Sequence, residues 1–342
     1  MADVRSAERT SPAAIELLQD GHAGERPNAS ARVLNMVAVV DRERRDEIEA
    51  RLARVGRYHP SRTIICAVGP ERTSLDAHAA IESSSGAVGL SHEHVTIDVG
   101  AEHLSHLDMI VDPILVSGLS TVVWAPHGHP EAVDSLLRLA TVVLVDSTEE
   151  PDNAKSLARI GELAERAYVV DLAWLRSTPW RERVAFTFDP AAWRPELGNI
   201  SVVTVRHGVN SAVAALLLVG WLASRLGWEP GVLEGDGDRP RRGRLRADGR
   251  EVAVTLEPAT GLDVPGLAGL TLETHTGLSI SLDRAPGGLA ATRKTPDGQS
   301  FRWTVLGASR GEGGILGEGV RQALLRDPTY RPAVAAARAM LP

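Results

Sequence analysis

The 342-residue sequence contains a single cysteine, Cys66, and therefore cannot form an intramolecular disulfide. Cys66 lies inside the apolar run 63–68, where we expect it to be a small core residue. The absence of a disulfide framework favours a cytoplasmic location. The longest uncharged apolar run, residues 212–223, is too short to cross a bilayer, which takes about 20 residues. No basic segment precedes an apolar stretch near residue 1, so we expect no signal peptide.

The sequence also lacks an excess of positive charge and the common cofactor motifs. Its net charge of −7 argues against general nucleic-acid binding. Residues 41–44, DRER, follow the first confident strand where a dinucleotide-binding chain carries a glycine-rich turn. Two acids there would repel phosphate, and no glycine allows close approach of the backbone. The sequence has no phosphate-binding P-loop and no G-x-S-x-G elbow. We therefore expect no cofactor on this chain.

The first half of the chain alternates apolar runs with segments of helical spacing, which is typical of an α/β domain. Strands are predicted at residues 33–40, 63–68, 77–84, 94–99, 121–124, 141–145 and 168–170. Helices are predicted between them at residues 43–55, 102–116, 130–139 and 152–165. We expect a Rossmann-like domain over residues 32–190, with a mostly parallel sheet of about six strands and no dinucleotide fingerprint. Residues 1–31, with one short helix at 11–19, are expected to be a flexible tail.

The second half changes to a period of two, which indicates antiparallel strands. Three pairs of alternating runs flank the turn signals Asp248-Gly249, Thr276-Gly277 and Asp297-Gly298. They predict an antiparallel meander of about six strands. Residues 211–226 are apolar nearly all round, with Asn210 as the expected N-cap and Gly227 after the last turn. We expect an α+β domain over residues 191–342, built on this central buried helix and the antiparallel sheet.

Residues 168–189 concentrate aromatic and basic side chains after a short strand that ends at Asp171. The candidate partner- or ligand-binding residues in this stretch are Asp171, Trp174, Arg176, Trp180 and Arg181. A helix is predicted from Thr178 and Pro179, with an apolar stripe every fourth residue from Trp180. Tryptophan and arginine are the residues that most often anchor protein interfaces. The alternative is a tryptophan-containing helix packed on a sheet, with its arginines in water.

Three further groups of residues are candidates for binding. His59, Ser61 and Arg62 surround the start of a strand, where an arginine and a hydroxyl could hold a phosphate or a carboxylate. The alternative there is a turn in which Pro60 sets the direction of the strand. Five arginines in residues 239–246 indicate a solvated edge strand that resists aggregation. Six histidines could in principle build a metal site: His92, His94, His103, His106, His127 and His129.

No carboxylate or cysteine spacing joins these histidines into a known metal pattern, so we expect no metal. No nucleophile–base pair or carboxylate pair stands out either. The sequence therefore predicts a protein that works through interaction surfaces and is not an enzyme. It does not exclude a metal-dependent enzyme that uses the histidines.

Five short segments, in the same order and within about residues 33–335, resemble the OpcA family. They are residues 59–62 (HPSR), 106–124, 171–176 with Trp180-Arg181, 220–225 (GWLASR) and 326–330 (RDPTY). This resemblance adds Trp221 and Arg225 to the candidate binding residues. It implies a non-catalytic assembly protein, or activating subunit, of glucose-6-phosphate dehydrogenase in the oxidative pentose phosphate pathway. NADP would then belong to the partner enzyme and not to this chain.

On this resemblance, we hypothesise that the helix beginning near Pro179 supplies anchors to the dehydrogenase and favours its active state. Such a shift cannot exceed the difference in affinity for the two states. One alternative is a sensor that binds a sugar phosphate through Arg62 and Arg176 at an end of the sheet. Neither interpretation involves a membrane or a nucleic acid.

Overall fold

The computed structural model of the chain describes residues 3–8, 33–56, 61–71, 73, 76–83, 91–235, 239–262, 264–306, 311–323 and 325–342. Contacts divide the chain into two compact units that alternate along the sequence. Unit 1 comprises Met1–Val145, Arg166–Val170 and Leu316–Arg326, and unit 2 comprises Asp146–Glu165, Asp171–Ile315 and Asp327–Pro342. This division differs from the expected boundary at residue 190, because residues 171–190 belong with the C-terminal segment in unit 2. The predicted helix at 11–19, His59 and Pro60 lie outside the described residues.

Unit 1 is built on an eight-stranded sheet with the order β1-β4-β5-β3-β2-β6-β7-β8. Its strands are β1 (Asp3–Glu8), β2 (Leu34–Asp41), β3 (Ser61–Val68), β4 (Asp76–Ser83), β5 (Ser91–Val99), β6 (Ser120–Trp124), β7 (Val142–Val145) and β8 (Tyr168–Asp171). The five strands β5, β3, β2, β6 and β7 pair in parallel, and β4 and β1 add antiparallel strands at one edge. The α/β class with a mostly parallel sheet is confirmed.

Strand β1 corrects the expectation of a flexible tail for residues 3–8. It pairs along its whole length with the outer edge of β4, from Asp3 opposite Ser83 to Glu8 opposite His78. An edge strand leaves a row of unpaired N–H and C=O groups, and another segment can satisfy them even when its own sequence has no strong strand pattern.

Apolar residues dominate the buried positions of the parallel strands, as expected for strands that are covered on both faces. Their side chains join those of the flanking helices in one core, which includes Cys66. Burial raises the pKa of the Cys66 thiol to about 12, so this sulfur stays protonated at neutral pH. Two helices of unit 1 are α1 (Arg45–Gly56), after a 3-10 turn at Arg42–Arg44, and α2 (Leu107–Val111). A third, α3 (Pro130–Leu136), follows β6.

The continuous helix predicted at residues 102–116 is broken into three pieces. A 3-10 helix, Ala101–His106, precedes α2, and a second 3-10 turn, Asp112–Ile114, follows it. Pro113 lies in that second turn, where its ring and missing N–H prevent the α-helix from continuing.

Unit 2 contains a seven-stranded sheet with the order β10-β11-β9-β12-β13-β14-β15. Its strands are β9 (Ile200–Gly208), β10 (Arg241–Ala247), β11 (Arg250–Ala259), β12 (Leu267–Thr274), β13 (Ser279–Ala285), β14 (Gly288–Lys294) and β15 (Ser300–Leu306). The three predicted hairpins are present. Asp248 and Gly249, with φ of 49° and 78°, form the left-handed turn that a two-residue hairpin needs.

The mostly antiparallel second sheet is confirmed, but β9 interrupts the predicted six-strand meander between β11 and β12. This strand lies between β11 and β12, parallel to the first and antiparallel to the second. Helix α7 (Ala212–Leu226) follows β9, and a helical crossover of this length returns the chain so that a later strand can pair in parallel.

Helix α7 is the predicted buried helix, and Gly227 ends it with a φ of 69°. Its N-cap is Ser211 instead of Asn210. The helix crosses α9 (Tyr330–Ala339) at Gly220, where an added Cβ would lie 2.3 Å from the Ala333 carbonyl oxygen. Glycine is required there because the two backbones nearly touch. The other helices are α4 (Asn153–Arg166), α5 (Leu172–Arg176), α6 (Thr178–Phe188) and α8 (Gly311–Gln322). Within the described part of the chain, no helix combines the length and apolarity needed to cross a membrane.

Candidate functional site

The tryptophan- and arginine-rich segment forms two short helices with a break between them. Asp171 begins α5, because its Oδ1 accepts a hydrogen bond of 3.0 Å from the Ala173 N–H. Ser177 separates α5 from α6, and its hydroxyl donates to the Trp174 carbonyl oxygen at 2.7 Å. The predicted helix over Thr178 and Pro179 is therefore correct in place, but Thr178 is its first residue and not its cap.

Trp174 is enclosed by three side chains, and we call this set the Trp174 cluster: Trp174, Arg181, Asp327 and Tyr330. The Trp174 Nε1–H donates to Asp327 Oδ2 at 2.9 Å. The Arg181 guanidinium carbon lies 3.5 Å from the centre of the indole ring, which is a cation–π contact. The Tyr330 ring packs against the indole with centroids 5.4 Å apart. All four residues belong to unit 2.

Arg181 satisfies its donors within its own neighbourhood. It donates to Thr178 Oγ1 at 2.9 Å and to Ser177 Oγ at 3.2 Å, and its Nη1 lies 3.6 Å from Asp327 Oδ2. Burial lowers the pKa of Arg181 to about 10, so it remains charged at neutral pH. The guanidinium therefore organises the cluster and has little capacity left for another molecule.

The burial of this cluster corrects the expectation that its members are surface anchors. Trp174 and Trp180 are each 2% exposed, and Arg181 is 9% exposed. Trp180 packs on the apolar stripe with Val184 and Phe188, as the spacing predicted. The packed-helix alternative is right for the tryptophans, but Arg181 is also buried and not in water. These three side chains pack inside unit 2 and leave little accessible surface.

Asp171 is completely buried and accepts three hydrogen bonds. Its Oδ1 accepts from the N–H groups of Ser147 and Ala173, and its Oδ2 accepts from the Tyr330 hydroxyl at 2.9 Å. Burial, reinforced by the charge of Asp146, outweighs these bonds and raises its pKa to about 6. Asp171 is thus a structural carboxyl group that loses its proton near pH 6 in the folded protein, whereas an ordinary aspartate does so near pH 4.

We expect Asp171→Asn to remove a pH dependence of stability. A raised folded-state pKa means that the contribution of the carboxyl group is fully present below the unfolded pKa, near 4, and is lost as pH rises through 6. The size of this loss is about 3 kcal/mol. Asparagine does not ionise, and its amide can donate to the Tyr330 hydroxyl. The measurement is the free energy of unfolding in urea at pH 4 and pH 7. The stability of the variant relative to wild type should be higher at pH 7 than at pH 4. An equal difference in free energy between variant and wild type at the two pH values would contradict this.

The two arginines proposed to hold a phosphate are engaged by the chain itself. Arg62 is 8% exposed and donates from Nη1 to the Ile114 carbonyl oxygen at 2.7 Å. Arg176 lies 2.7 Å from Asp146 Oδ2, and both side chains are less than a tenth exposed. Arg62 also stands at the amino end of β3, whereas ligands of parallel sheets bind at the carboxyl ends. The neighbouring Ser61 is buried as well, with its hydroxyl 3.3 Å from Thr63 Oγ1.

The carboxyl ends of β2 and β6 hold a polar group that we call the Asp41 cluster: Asp41, His127 and His129. The order of the strands changes direction at this point of the sheet. The chain passes from β2 to β3 on one side, whereas β6 and β7 lie on the other side. Such a switch point is where α/β sheets bind dinucleotides. The Asp41 N–H donates to His127 Nδ1, and His129 Nε2 donates to Asp41 Oδ1, both at 2.9 Å. Burial lowers the pKa of His127.

The Asp41 cluster places a carboxylate and two rings where a glycine-rich turn would receive phosphate. The sequence had singled out His127 and His129 only as members of a histidine group. Their link to Asp41 could have been found from the strand order, since the loops after two adjacent parallel strands meet at one edge. Arg42–Arg44 continue from Asp41 as a 3-10 turn.

Among the residues that the structure describes, the remaining histidines do not come together as a metal site. His94 lies 3.9 Å from Glu49 Oε1, and His103 Nδ1 accepts from the Gly100 N–H at 3.2 Å. His106 is exposed, and the side chain of His92 lies outside the described residues. No group of three or more potential ligands is found in the part of the chain that the structure describes.

Two candidates from the resemblance remain on or near the surface of α7. Trp221 is half-buried and Arg225 is exposed. Nothing in the geometry assigns them a partner, and their role stays a prediction.

Comparison with known proteins matches both halves of the chain to two OpcA family models. Residues 52–162 match the N-terminal domain of the glucose-6-phosphate dehydrogenase subunit, and residues 167–334 match its C-terminal domain. The chain belongs to the OpcA family. The resemblance drawn from the five short segments is confirmed, and relatives in the family carry names that connect them with the oxidative pentose phosphate cycle.

Two relatives, provisionally named OxPP cycle protein OpcA, illustrate the distance within the OpcA family. The protein of Nostoc punctiforme is 28% identical over 205 residues, which are 58% of this chain and 44% of the relative. That of Synechocystis is 26% identical over 163 residues, which are 46% of this chain and 34% of the relative. The match takes in less than half of the length of either relative.

The chain is similar in fold to solved structures of oxidoreductases. Glucose-6-phosphate 1-dehydrogenase of Mycobacterium avium aligns over 91% of both chains with a TM-score of 0.54 and 11% identity. An oxidoreductase of Sinorhizobium meliloti aligns over 91% of this chain and 97% of its own, with a TM-score of 0.50 and 12% identity. At such low identity the likeness concerns the fold alone. It confirms the Rossmann-like architecture of this OpcA protein.

Proposed function

We propose that this OpcA protein is a non-catalytic subunit that assembles with glucose-6-phosphate dehydrogenase and favours its active state. The observation that carries the proposal is the match of both halves to domains described as belonging to a subunit of that enzyme. The dehydrogenase itself is the expected holder of NADP.

The Asp41 cluster supports the non-catalytic part of the proposal. A pyrophosphate placed at the end of β2 would meet the Asp41 carboxylate and the acidic Glu43, in a turn without glycine. Repulsion and crowding at this point disfavour a dinucleotide in the place that the fold otherwise offers. A chain with the dehydrogenase architecture and an obstructed cofactor position is suited to act as a partner.

The proposed activation is a population shift. The OpcA protein would bind one conformer or oligomer of the dehydrogenase more tightly than the others, and the gain in activity is limited by that difference in affinity. We expect the contact surfaces to lie elsewhere than the Trp174 cluster, because its aromatic and guanidinium groups are buried.

The test is a titration of the dehydrogenase from the same organism with this protein. We expect light scattering to show a mixed complex, and the apparent KM or kcat of the dehydrogenase to change with the same midpoint. An unrelated protein at equal mass concentration controls for surface loss and crowding. Calorimetry with NADP and this chain alone should show no binding. A titration with neither complex nor kinetic change would refute the assembly proposal, and tight NADP binding would refute its non-catalytic part.

A further inference from the structure

The seven-stranded sheet of unit 2 ends in two edge strands, β10 and β15, and β10 is protected by the chain itself. The Glu229 N–H donates to the Arg246 carbonyl oxygen, and the Arg242 N–H donates to the Glu234 carbonyl oxygen, both at 2.8 Å. Exposed arginines also lie along β10, and charged side chains on an edge discourage pairing with another chain. A further strand is therefore disfavoured at this edge.

The opposite edge strand, β15 (Ser300–Leu306), lacks these protections within the part of the chain that the structure describes. Its place in the strand order gives it one neighbour, β14, and its register with β14 continues without a bulge. The strand contains no proline, and Arg302 is its one charged residue. An edge of this kind presents backbone N–H and C=O groups to which another strand can bond.

The hairpin between β14 and β15 shows which backbone groups face the free edge. The Thr295 N–H donates to the Gln299 carbonyl oxygen at 2.9 Å, next to the turn. Bonded and non-bonded pairs alternate along an antiparallel ladder, so the odd-numbered residues of β15 bond to β14. Three residues direct their N–H and C=O groups to the free edge: Ser300, Arg302 and Thr304.

The odd-numbered side chains of β15 extend the buried face of the sheet to this edge. Phe301, Trp303 and Val305 lie on the same face as Leu289 and Ala291 of β14, both of which are buried. Phe301 is nevertheless 44% exposed, and Trp303 and Val305 are half-buried. A strand added at this edge would cover their remaining apolar surface, which favours its association.

We propose that β15 pairs with β15 of a second copy of this chain, in antiparallel orientation about a twofold axis. The two sheets of unit 2 then become one continuous sheet. Trp303 is the middle residue of β15. Pairing over the whole strand therefore places it opposite Trp303 of the partner subunit. The proposal concerns self-association and goes beyond the assembly role.

A second copy is favoured as the occupant because β15 is complementary to itself in this register. Phe301 faces Val305 of the partner subunit, and aromatic–aromatic and aromatic–β-branched pairs stabilise antiparallel sheets. Arg302 faces Thr304 of the partner subunit, so no like charges are opposed. A register in which Arg302 meets Arg302 of the partner subunit shortens the paired length and opposes two positive charges. Complementarity of this reciprocal kind is what a twofold interface requires.

The first test removes a hydrogen bond from the free edge. The Thr304 N–H faces away from β14, so Thr304→Pro removes a donor to the second copy and none to β14. Sedimentation equilibrium of the full chain alone should show a concentration-dependent dimer. We expect Thr304→Pro to raise its dissociation constant about tenfold or more, and the matched control Thr304→Val, which keeps the N–H, to leave dimerisation intact. Urea midpoints show whether each variant is folded.

The second test examines the register with two charged substitutions at one exposed position. Thr304→Glu places a carboxylate opposite Arg302 of the partner subunit on both sides of the axis, and Thr304→Arg places a like charge there. We expect Thr304→Glu to tighten the dimer about threefold or more, and Thr304→Arg to weaken it by a similar factor. Both effects should diminish at high salt, because the positions are exposed.

The outcomes distinguish this inference from the assembly role. A wild-type chain that stays monomeric at all concentrations, or a dimer that Thr304→Pro leaves unchanged, overturns the pairing of β15. Equal weakening by Thr304→Glu and Thr304→Arg overturns the proposed register. If the chain alone is a monomer and Thr304→Pro instead weakens the complex with the dehydrogenase, the enzyme occupies this edge and self-pairing is refuted while the assembly role stands. Should Thr304→Pro fail to fold, the Thr304→Glu and Thr304→Arg pair still decides.

Discussion

Replacing Trp180 with alanine is expected to destabilise unit 2 by about 3–5 kcal/mol, as for other large-to-small changes of a buried aromatic residue. The Trp180 side chain is 2% exposed and packs within the apolar stripe of α6. Truncation removes its apolar contacts and leaves a cavity that the surrounding helices fill only partly. Urea denaturation followed by far-ultraviolet circular dichroism should show a lower midpoint with an unchanged slope.

Phe186 provides a matched control on the same helix, because its ring is 68% exposed. Phe186→Ala should change the free energy of unfolding by less than about 0.5 kcal/mol. Any loss of dehydrogenase binding by Trp180→Ala should be proportional to the fraction of the variant that is unfolded. Binding should return at low temperature or in a stabilising osmolyte, where the variant is folded. A Trp180→Ala variant of unchanged midpoint that no longer binds would instead show that this tryptophan contacts the partner directly.

Replacing Asp327 with alanine is expected to cost about 3 kcal/mol, at the low end for breaking a buried ion pair because the carboxylate is partly exposed. The change leaves the Trp174 Nε1–H without its acceptor and the Arg181 guanidinium without its counter-charge. It also removes the acceptor of the Thr329 N–H and hydroxyl at the start of α9. The readout is again the free energy of unfolding in urea.

The pH dependence identifies the origin of this effect. Burial acts to raise the pKa of Asp327, but the bonds from Thr329 and Trp174 and the charge of Arg181 outweigh it and hold the pKa below its ordinary value. A depressed folded-state pKa contributes stability that is present above the unfolded pKa, near 4, and is lost as pH falls below it. The difference between wild type and Asp327→Ala should therefore shrink from pH 7 to pH 3, opposite in direction to the effect at Asp171.

The exposed pair of Asp189 and Arg194 is the control for Asp327→Ala. Its atoms are 3.1 Å apart, but both side chains are more than half exposed. Asp189→Ala should change stability by less than about 1 kcal/mol, because solvent screens surface pairs. An equal loss of unfolding free energy in the two variants would mean that burial does not strengthen the contacts of Asp327.

Much of the fold could be predicted because local pattern and final environment agree. The apolar runs became the parallel strands of unit 1, and the Asp248-Gly249 turn and Gly227 had the backbone geometry that their sequence demanded. The predictions were wrong where the position of a strand depends on a segment that is distant in the sequence. Strand β1 depends on the edge of β4, and the parallel position of β9 depends on the path of α7.

The binding residues were harder to predict than the fold. A segment rich in tryptophan and arginine looks the same in the sequence whether it anchors an interface or fills a core. Arg181 can be buried because Ser177 and Thr178 accept its hydrogen bonds and Asp327 balances its charge. A row of five aligned hydroxyl residues in the sheet of unit 2 had no signal in the sequence, since its members come from five strands spread over residues 200–294: Thr255, Thr204, Thr271, Ser281 and Thr292.

The sequence by itself determined the alternation of strands and helices, the change to antiparallel strands after α7, and the membership of the OpcA family, because each depends on residues close together in the chain. Only the tertiary structure decided which side chains are accessible. Burial is a property of neighbours brought together from distant segments, and here it placed Trp174, Trp180 and Arg181 inside unit 2 while it left Phe186, on the same helix as Trp180, 68% exposed.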